Sequence, residues 1–492
     1  MSIVAPSLEI AVLVLGVLVL LFEMFADQID KRTFAFTAML GLATVFVASF
    51  FLTSPPAEAA DSGFWSFYTA DPLAIFFKRF ALVTTVLVLA MMVDYAPVVR
   101  DSIHAASPQA GLGEFFALPV FTCAGLMWMA SAIDFVMIFV SLELVTMSFY
   151  VLVAFMRRNP ASLEAGVKYL ILSALSTGFL VYGITWIFGV TGETNLARVS
   201  AALVNPAVES APALFGMLLV LVALGFKIAA VPFQIWVPDV YQGAPTPVTA
   251  FLSVGSKAAG FVVLLRVLQP FLVMPQMERL LVLVALGTLI YGNLAALPQT
   301  NLKRLLAYSS IAHAGYLLIG VVCLAGEAVV FYLVAYLLMT LLSFAVLVVV
   351  AQQTGENIED FNGLAKRSPF LAFAMLIAMA SLAGLPFTAG FLGKFYIFNA
   401  AIAHQQTALI VVGVITVACG FYYYFKVVRA MYWEAPAADV AVPVSGISRL
   451  AMLAMMAGII VLGIYPQPVV NSLRRTTEHR LSACAASGLA AR

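Results

Sequence analysis

The sequence predicts an all-α polytopic membrane protein of about 14 transmembrane helices, with two inverted five-helix repeats and broken helices 7 and 12. Three observations lead there. Of 492 residues, 63% are hydrophobic and 10% are charged, against about 25% charged in soluble domains. Apolar runs long enough to cross a hydrocarbon core, which takes about 20 helical residues, recur from end to end. Two of these runs, five apart in order, are interrupted by proline.

This composition excludes a soluble globule, a nucleic-acid binder and a disordered chain. With 25 basic and 24 acidic residues the net charge is +1, so no global field steers an ionic partner. Cys123, Cys323, Cys419 and Cys484 lie far apart and form no CxxC. Their spacing speaks against a cluster or a disulfide framework, and four scattered histidines speak against a zinc cage.

The expected crossings are 8–26, 34–53, 73–93, 115–132, 134–156, 166–190, 212–237, 248–269, 279–298, 304–324, 328–350, 369–400, 407–431 and 449–469. They are too long for strands and lack the period-two alternation of a membrane barrel. The first is flanked by Glu9, Asp27 and Asp30, with no basic leader or small-residue cleavage site, and reads as a retained helix. Twelve basic residues fall in connections after odd-numbered helices, among them Lys31, Arg158, Lys303, Arg304, Lys426 and Arg429. Five fall on the other side: Lys78, Arg79, Arg198, Arg266 and Arg279. The positive-inside rule then puts odd connections in the cytoplasm and both termini outside. The acidic stretch 54–72, with Pro55, Pro56, Glu58, Asp61 and Asp71, agrees, whereas the four arginines of the C-terminal tail oppose it.

Four lysines belong to no connection: Lys168, Lys227, Lys257 and Lys394. A charge inside the membrane costs at least about 2.5–3.5 kcal/mol on insertion scales, so its default reading is functional. Glu143, in IFVSLELVTMSFYVL, is the clearest acidic counterpart. Lys168 lies near a boundary, where snorkelling is an equal alternative; Lys227, Lys257 and Glu143 are too central for it.

Pro232, in GFKIAAVPFQIW, and Pro386, in SLAGLPFTAGFLGKF, mark the two helix breaks. A mid-helix proline frees carbonyls that then need protein or water as partners. Each break reads Pro-Phe, with Lys227 five residues before one and Lys394 eight after the other. Paired interruptions point to a transporter built from repeats, and five helices per repeat makes the repeats inverted. The expected divisions are an N-terminal three-helix segment over 1–110, repeats over 111–270 and 271–435, and a last helix with tail over 436–492.

The stretches VALGFKIAAVPFQIWVPDVYQGAPTPVTAFLSVGSKAAGF, GNLAALPQTNLKRLLAYSSIAHAGYLLIG and SLAGLPFTAGFLGKFYIF resemble the antiporter-like subunits of respiratory complex I. DPLAIFFKRF and LVAFMRRNPASLEAGVKYLILSALSTGFLVYG extend the likeness through nearly all the chain. Lysine rather than glutamate at 394, with the GAPTPVTAFLSVGSKAAGF form, favours the N type, counterpart of mitochondrial subunit 2, over the M type. The resemblance implies two proton half-channels through Glu143, Lys168, Lys227, Lys257 and Lys394, with His313 in a polar link across the second repeat. Lys303, beside Arg304, is as well explained by topology. No cofactor is expected on this chain; NADH, FMN, iron–sulfur clusters and quinone are implied on other subunits of a bacterial inner-membrane complex. Implied partners are an M-type neighbour, small membrane subunits and lipids.

Burial disfavours the charged form of an amine, and an approaching carboxylate restores it. Two unit charges about 4 Å apart at an effective dielectric of about 20 interact by roughly 4 kcal/mol. Moving one charge through the membrane field costs about 2.3 kcal/mol per 100 mV, so one such switch is large enough to drive a stroke. Glu143 and Lys227 are the expected switch pair, Lys257 the relay and Lys394 the exit group. The competing readings are a subunit of a multi-subunit Na+(K+)/H+ antiporter and a non-pumping scaffold.

Overall fold

Helix starts in this chain are written by side-chain caps. Asp71, Asp134, Asn159 and Asn301 each accept a backbone N–H of the following turn, satisfying donors that no preceding carbonyl can reach. Pro72 and Pro160 sit just inside two of these starts, where the missing N–H costs nothing. The computed structural model describes residues 6–25, 29–51, 66–103, 112–205, 210–268, 271, 275–436 and 442–470. The Pro55–Asp61 stretch, the tail arginines and Cys484 lie outside them.

The crossings are α1 Ser7–Phe25, α2 Arg32–Ala48, α3 Pro72–Asp101, α4 Leu112–Ser131, α5 Phe135–Val153 and α6 Pro160–Thr191. Next come α7 Ser210–Ile228 with α8 Trp236–Gly243, then α9 Thr246–Val267, α10 Pro275–Ala296, α11 Leu302–Val322 and α12 Gly326–Ala351. α13 Pro369–Ala383 with α14 Ala389–Ala403, α15 Thr407–Trp433 and α16 Gly446–Ile464 complete the set. Twelve of these helices are long and apolar enough to cross a membrane alone. Among the described residues, α2 and the α13–α14 pair bring the crossings to fourteen, and extended pairing is limited to isolated bridges.

The same neighbours pack in each group of five. α4 lies on α5 and α9 as α10 lies on α11 and α15; α6 holds both halves α7 and α8 as α12 holds α13 and α14. The most enclosed helices are α9, α11 and α12, with α11 buried along its length except at Arg304. α3 and α16 brace α12 from outside.

Connections segregate to two ends. At one, Leu302 N–H donates to Glu356 O at 2.8 Å and Arg158 N–H to Ser102 O at 3.1 Å. At the other, Tyr68 bridges to Ala132 and Asp134 to Asn195, and Gln406 donates to Glu278 at 2.8 Å. Odd-numbered connections thus share one end and even-numbered ones the other.

Several residues read from sequence as connection charges are inside helices. Lys78 and Arg79 lie in α3, Arg266 in α9, Arg279 in α10 and Lys426 and Arg429 in α15. Arg198 lies in a short helix, Leu196–Val204. Glu9, expected as a flanking acid, is fully buried inside α1. The reason is pairing: Lys78 Nζ lies 2.8 Å from Glu9 Oε1, with side-chain exposures of 2% and 0%. Lys78 also donates to the Tyr68 hydroxyl at 2.6 Å, and Tyr68 to Glu9 at 3.1 Å. Burial first, then the Glu9 charge, raises the Tyr68 phenol above its ordinary pKa. Beside them Arg266 grips Asp71 through two nitrogens at 2.7 and 3.1 Å.

Candidate functional site

Both prolines sit where the helices part. α7 ends at Ile228, with Ala229 left-handed at φ 65°. The freed Val231 N–H donates to Thr288 Oγ1 at 3.0 Å, and the Trp236 indole adds a second donor, at 3.0 Å, to the Phe226 carbonyl that Ala229 N–H already reaches. α13 ends at Gly384, φ 89°, and Phe387 follows at φ 67°. Only glycine suits position 384, because a Cβ there would also press on the Lys394 side chain at 3.1 Å.

Lys394, in α14, fills the second break. Its amine donates to the Leu382 and Ala383 carbonyls, both at 2.9 Å, and lies 5.1 Å from the centre of the Tyr316 ring. The break supplies its acceptors. Lys227, 2% exposed, sits at the end of α7 just before the first break. Its amine donates to Thr146 Oγ1 on α5 at 2.6 Å.

Glu143 stands one helical turn from Thr146 on α5 and accepts from Thr177 Oγ1 at 2.7 Å. It is half-buried. Glu143 and the Thr146 that holds Lys227 therefore share one face of α5, yet Glu143 and Lys227 form no ion pair among the described residues. α9 passes the Lys227 stem at Gly260, where a Cβ would come within 3.7 Å of it. Gly260 is one turn from Lys257.

Lys257, 2% exposed, crosses from the first group of five to the second. Its amine donates to the Ser310 carbonyl on α11 at 2.7 Å and to the Ser310 hydroxyl. Tyr241, next to the α8 C-terminus, lies 3.4 Å from that hydroxyl. One turn further along α11, His313 is bonded through both ring nitrogens, to Tyr332 Oη at 2.6 Å and Tyr424 Oη at 3.0 Å. Tyr424 in turn bonds the Ser309 hydroxyl, and Gly393, beside Lys394, packs on the Tyr332 ring. His313 thus links to the Lys257 site through Ser310 one turn away on α11 and to the Lys394 segment through Tyr332.

Lys168 stands apart. Its side chain is 40% exposed and its amine contacts Glu164 at 2.8 Å and Asp239 at 2.7 Å. Asp239 also pairs with Arg304 at 3.0 Å, and Lys303 with Glu356 at 3.1 Å. These groups form a rim of ion pairs at the end shared by the odd-numbered connections. Placement there agrees with the boundary reading of Lys168 rather than a central one.

Sequence reading missed Thr146, Thr177, Ser310, Tyr332 and Tyr424. Ser310 was within reach, since it stands three residues before His313 on one helical face. The tyrosines were not, because rings in apolar runs usually mean core packing. Among the described residues, no group of three His, Cys, Asp or Glu could hold a metal ion.

Residues 132–420 match the family described as NADH:quinone oxidoreductase/Mrp antiporter, TM. The NADH-quinone oxidoreductase subunit N of Desulforamulus reducens is 38% identical over 472 residues, covering 94% of this chain and 95% of that one. A chain of respiratory complex I from Thermus thermophilus superposes with a TM-score of 0.78 at 30% identity, covering 94% of this chain and 98% of that one. A chain of the Mrp complex from Dietzia sp. DQ12-45-1b has the same fold, with a TM-score of 0.80 at 19% identity and 95% of each chain covered.

Proposed function

The chain belongs to the subunit N family of NADH-quinone oxidoreductases, and from that premise we propose that its protons move along Lys168, Glu143, Lys227, Lys257, His313 and Lys394. It is a proton-translocating subunit of the membrane arm, works among the other membrane-arm subunits of a complex-I-type enzyme, and has no separate catalytic site of its own. The bacterial inner membrane is the proposed location, with odd connections and the Lys168 rim cytoplasmic and both termini outside. NADH, FMN, iron–sulfur clusters and quinone are proposed to act on other subunits.

The observation that carries the path is the buried polar chain at the middle of the fold. Lys257 reaches Ser310, and His313 one turn away joins Tyr332 and Tyr424 beside Lys394. Charges so deep are expensive unless used. Lys168 at the rim receives protons from the cytoplasm, and Glu143 with Lys227 loads and unloads as their separation changes. Lys257 relays, His313 passes the proton through its two ring nitrogens, and Lys394 releases it. Water in the breaks at Pro232 and Pro386 completes the route; the buried Gln234 Oε1, two residues after Pro232 and without a hydrogen-bond partner among the described residues, is suited to hold it in the first break. The two groups of five, 111–270 and 271–435, act as the inverted half-channels.

Lys257→Met tests this against a scaffold. In vesicles holding the assembled complex, proton uptake per NADH oxidised should fall clearly. Unchanged uptake in a fully assembled variant overturns the path.

A further inference from the structure

We infer that the cytoplasmic end of α15 carries a binding site for an anionic phospholipid, a proposal that rests on the membrane orientation given above. A groove of about 730 Å³ opens on this helix, lined by Tyr422, Phe425, Lys426, Arg429, Trp433 and Glu434. Tyr422, Lys426, Arg429 and Trp433 are spaced four, three and four residues apart, so they form one stripe along a single helix face. At 1.5 Å per residue the stripe is about 16 Å long, and its order is aromatic, basic, basic, aromatic. Phe425 widens the aromatic part on the side nearer the membrane centre.

The charges in this stripe differ from the others at the same end. Lys168, Lys303 and Arg304 each meet a carboxylate on another helix or connection. Lys426 has only a backbone acceptor, Gln299 O at 3.0 Å, and makes no ion pair among the described residues. Arg429 meets Glu434 at 2.9 Å, but both are open to solvent, with side chains 74% and 42% exposed. Such an exposed pair holds little, and one carboxylate against two cations leaves the groove positive. Trp433 and Tyr422 are 74% and 66% exposed, as rings that lie at the headgroup level are.

A phospholipid phosphate matches this arrangement: Lys426 and Arg429 take the phosphate oxygens, Tyr422 and Phe425 the first acyl carbons, and Trp433 the headgroup rim. A basic recess on the cytoplasmic side of a helix bundle is the setting in which anionic headgroups are held. An acidic partner protein would satisfy the two cations but would not need the aromatic stretch toward the membrane interior, so the lipid is favoured.

The test uses the assembled complex in vesicles doped with photoactivatable phosphatidylglycerol or, separately, photoactivatable phosphatidylcholine, with labelling mapped to the peptide spanning Tyr422–Glu434. The expected result is labelling by phosphatidylglycerol several-fold above phosphatidylcholine, reduced to the phosphatidylcholine level in Lys426→Gln/Arg429→Gln complexes that still assemble. A milder Lys426→Arg/Arg429→Lys complex, which keeps both charges, should retain the preference. Equal labelling by both lipids overturns the proposal. Competition by inorganic phosphate that removes the preference shows a free-phosphate site and overturns it too, and absence of labelling by either lipid in the assembled complex means that the groove is not open to lipid and likewise overturns it.

Discussion

Two Glu–Lys couples lie in the first half of the molecule, and they are built differently. Glu9 and Lys78 touch at 2.8 Å, both buried, with Tyr68 closing the triangle. Glu143 and Lys227 do not touch; each is held by a threonine, Thr177 for the acid and Thr146 for the amine. The closed couple ties α1 and α3 together beside the ends of α4 and α9, where Ser131 and Arg266 complete the cluster. In contact, each charge fixes the other. Apart, each charge has a neutral partner it can leave, and the separation itself becomes the variable. One couple is a fastening; the other has the open geometry of the proposed switch.

The largest effect should come from opening the fastening. Lys78→Ala strands the Glu9 carboxylate in the interior, at a cost of about 3–5 kcal/mol, and should deplete the assembled complex on native gels. Replacing both members by methionine together should recover most of the assembly; failure to recover would mean that the couple does more than balance charge. Next, Lys227→Ala and Glu143→Ala should each assemble normally yet reduce proton pumping in vesicles, since neither leaves a buried contact ion unpaired. Normal pumping in both would make the open couple no more than a second fastening. The smallest effect should be Lys394→Glu, which keeps a titratable group and should retain more pumping than Lys394→Ala. Equal loss in the two would show that the amine itself, gripped by Leu382 and Ala383, is required.

Much of this was legible because the membrane makes two signals loud. Helix existence followed from apolar length, and both breaks were read from Pro232 and Pro386 together with the lysine near each, since proline alone does not decide: Pro97 and Pro119 sit inside the unbroken α3 and α4. Lys227, Lys257 and Lys394 stood out because a cation in an apolar run has no innocent local explanation. What was illegible depended on partners distant in sequence. Lys78 and Arg266 looked like boundary charges because Glu9 and Asp71, which draw them inward, lie 69 and 195 residues away. Tyr332 and Tyr424 looked like core because only the fold brings their hydroxyls to His313.

The acceptors of Lys394 are main-chain oxygens, and every residue type carries one. No exchange of side chain at 382 or 383 can delete them, whereas Lys227 depends on a hydroxyl that a single nucleotide change could remove. The far end of the proposed route would therefore be insulated from drift in its neighbours, and its tuning would fall on the lysine itself or on Gly384, whose left-handed turn follows those carbonyls.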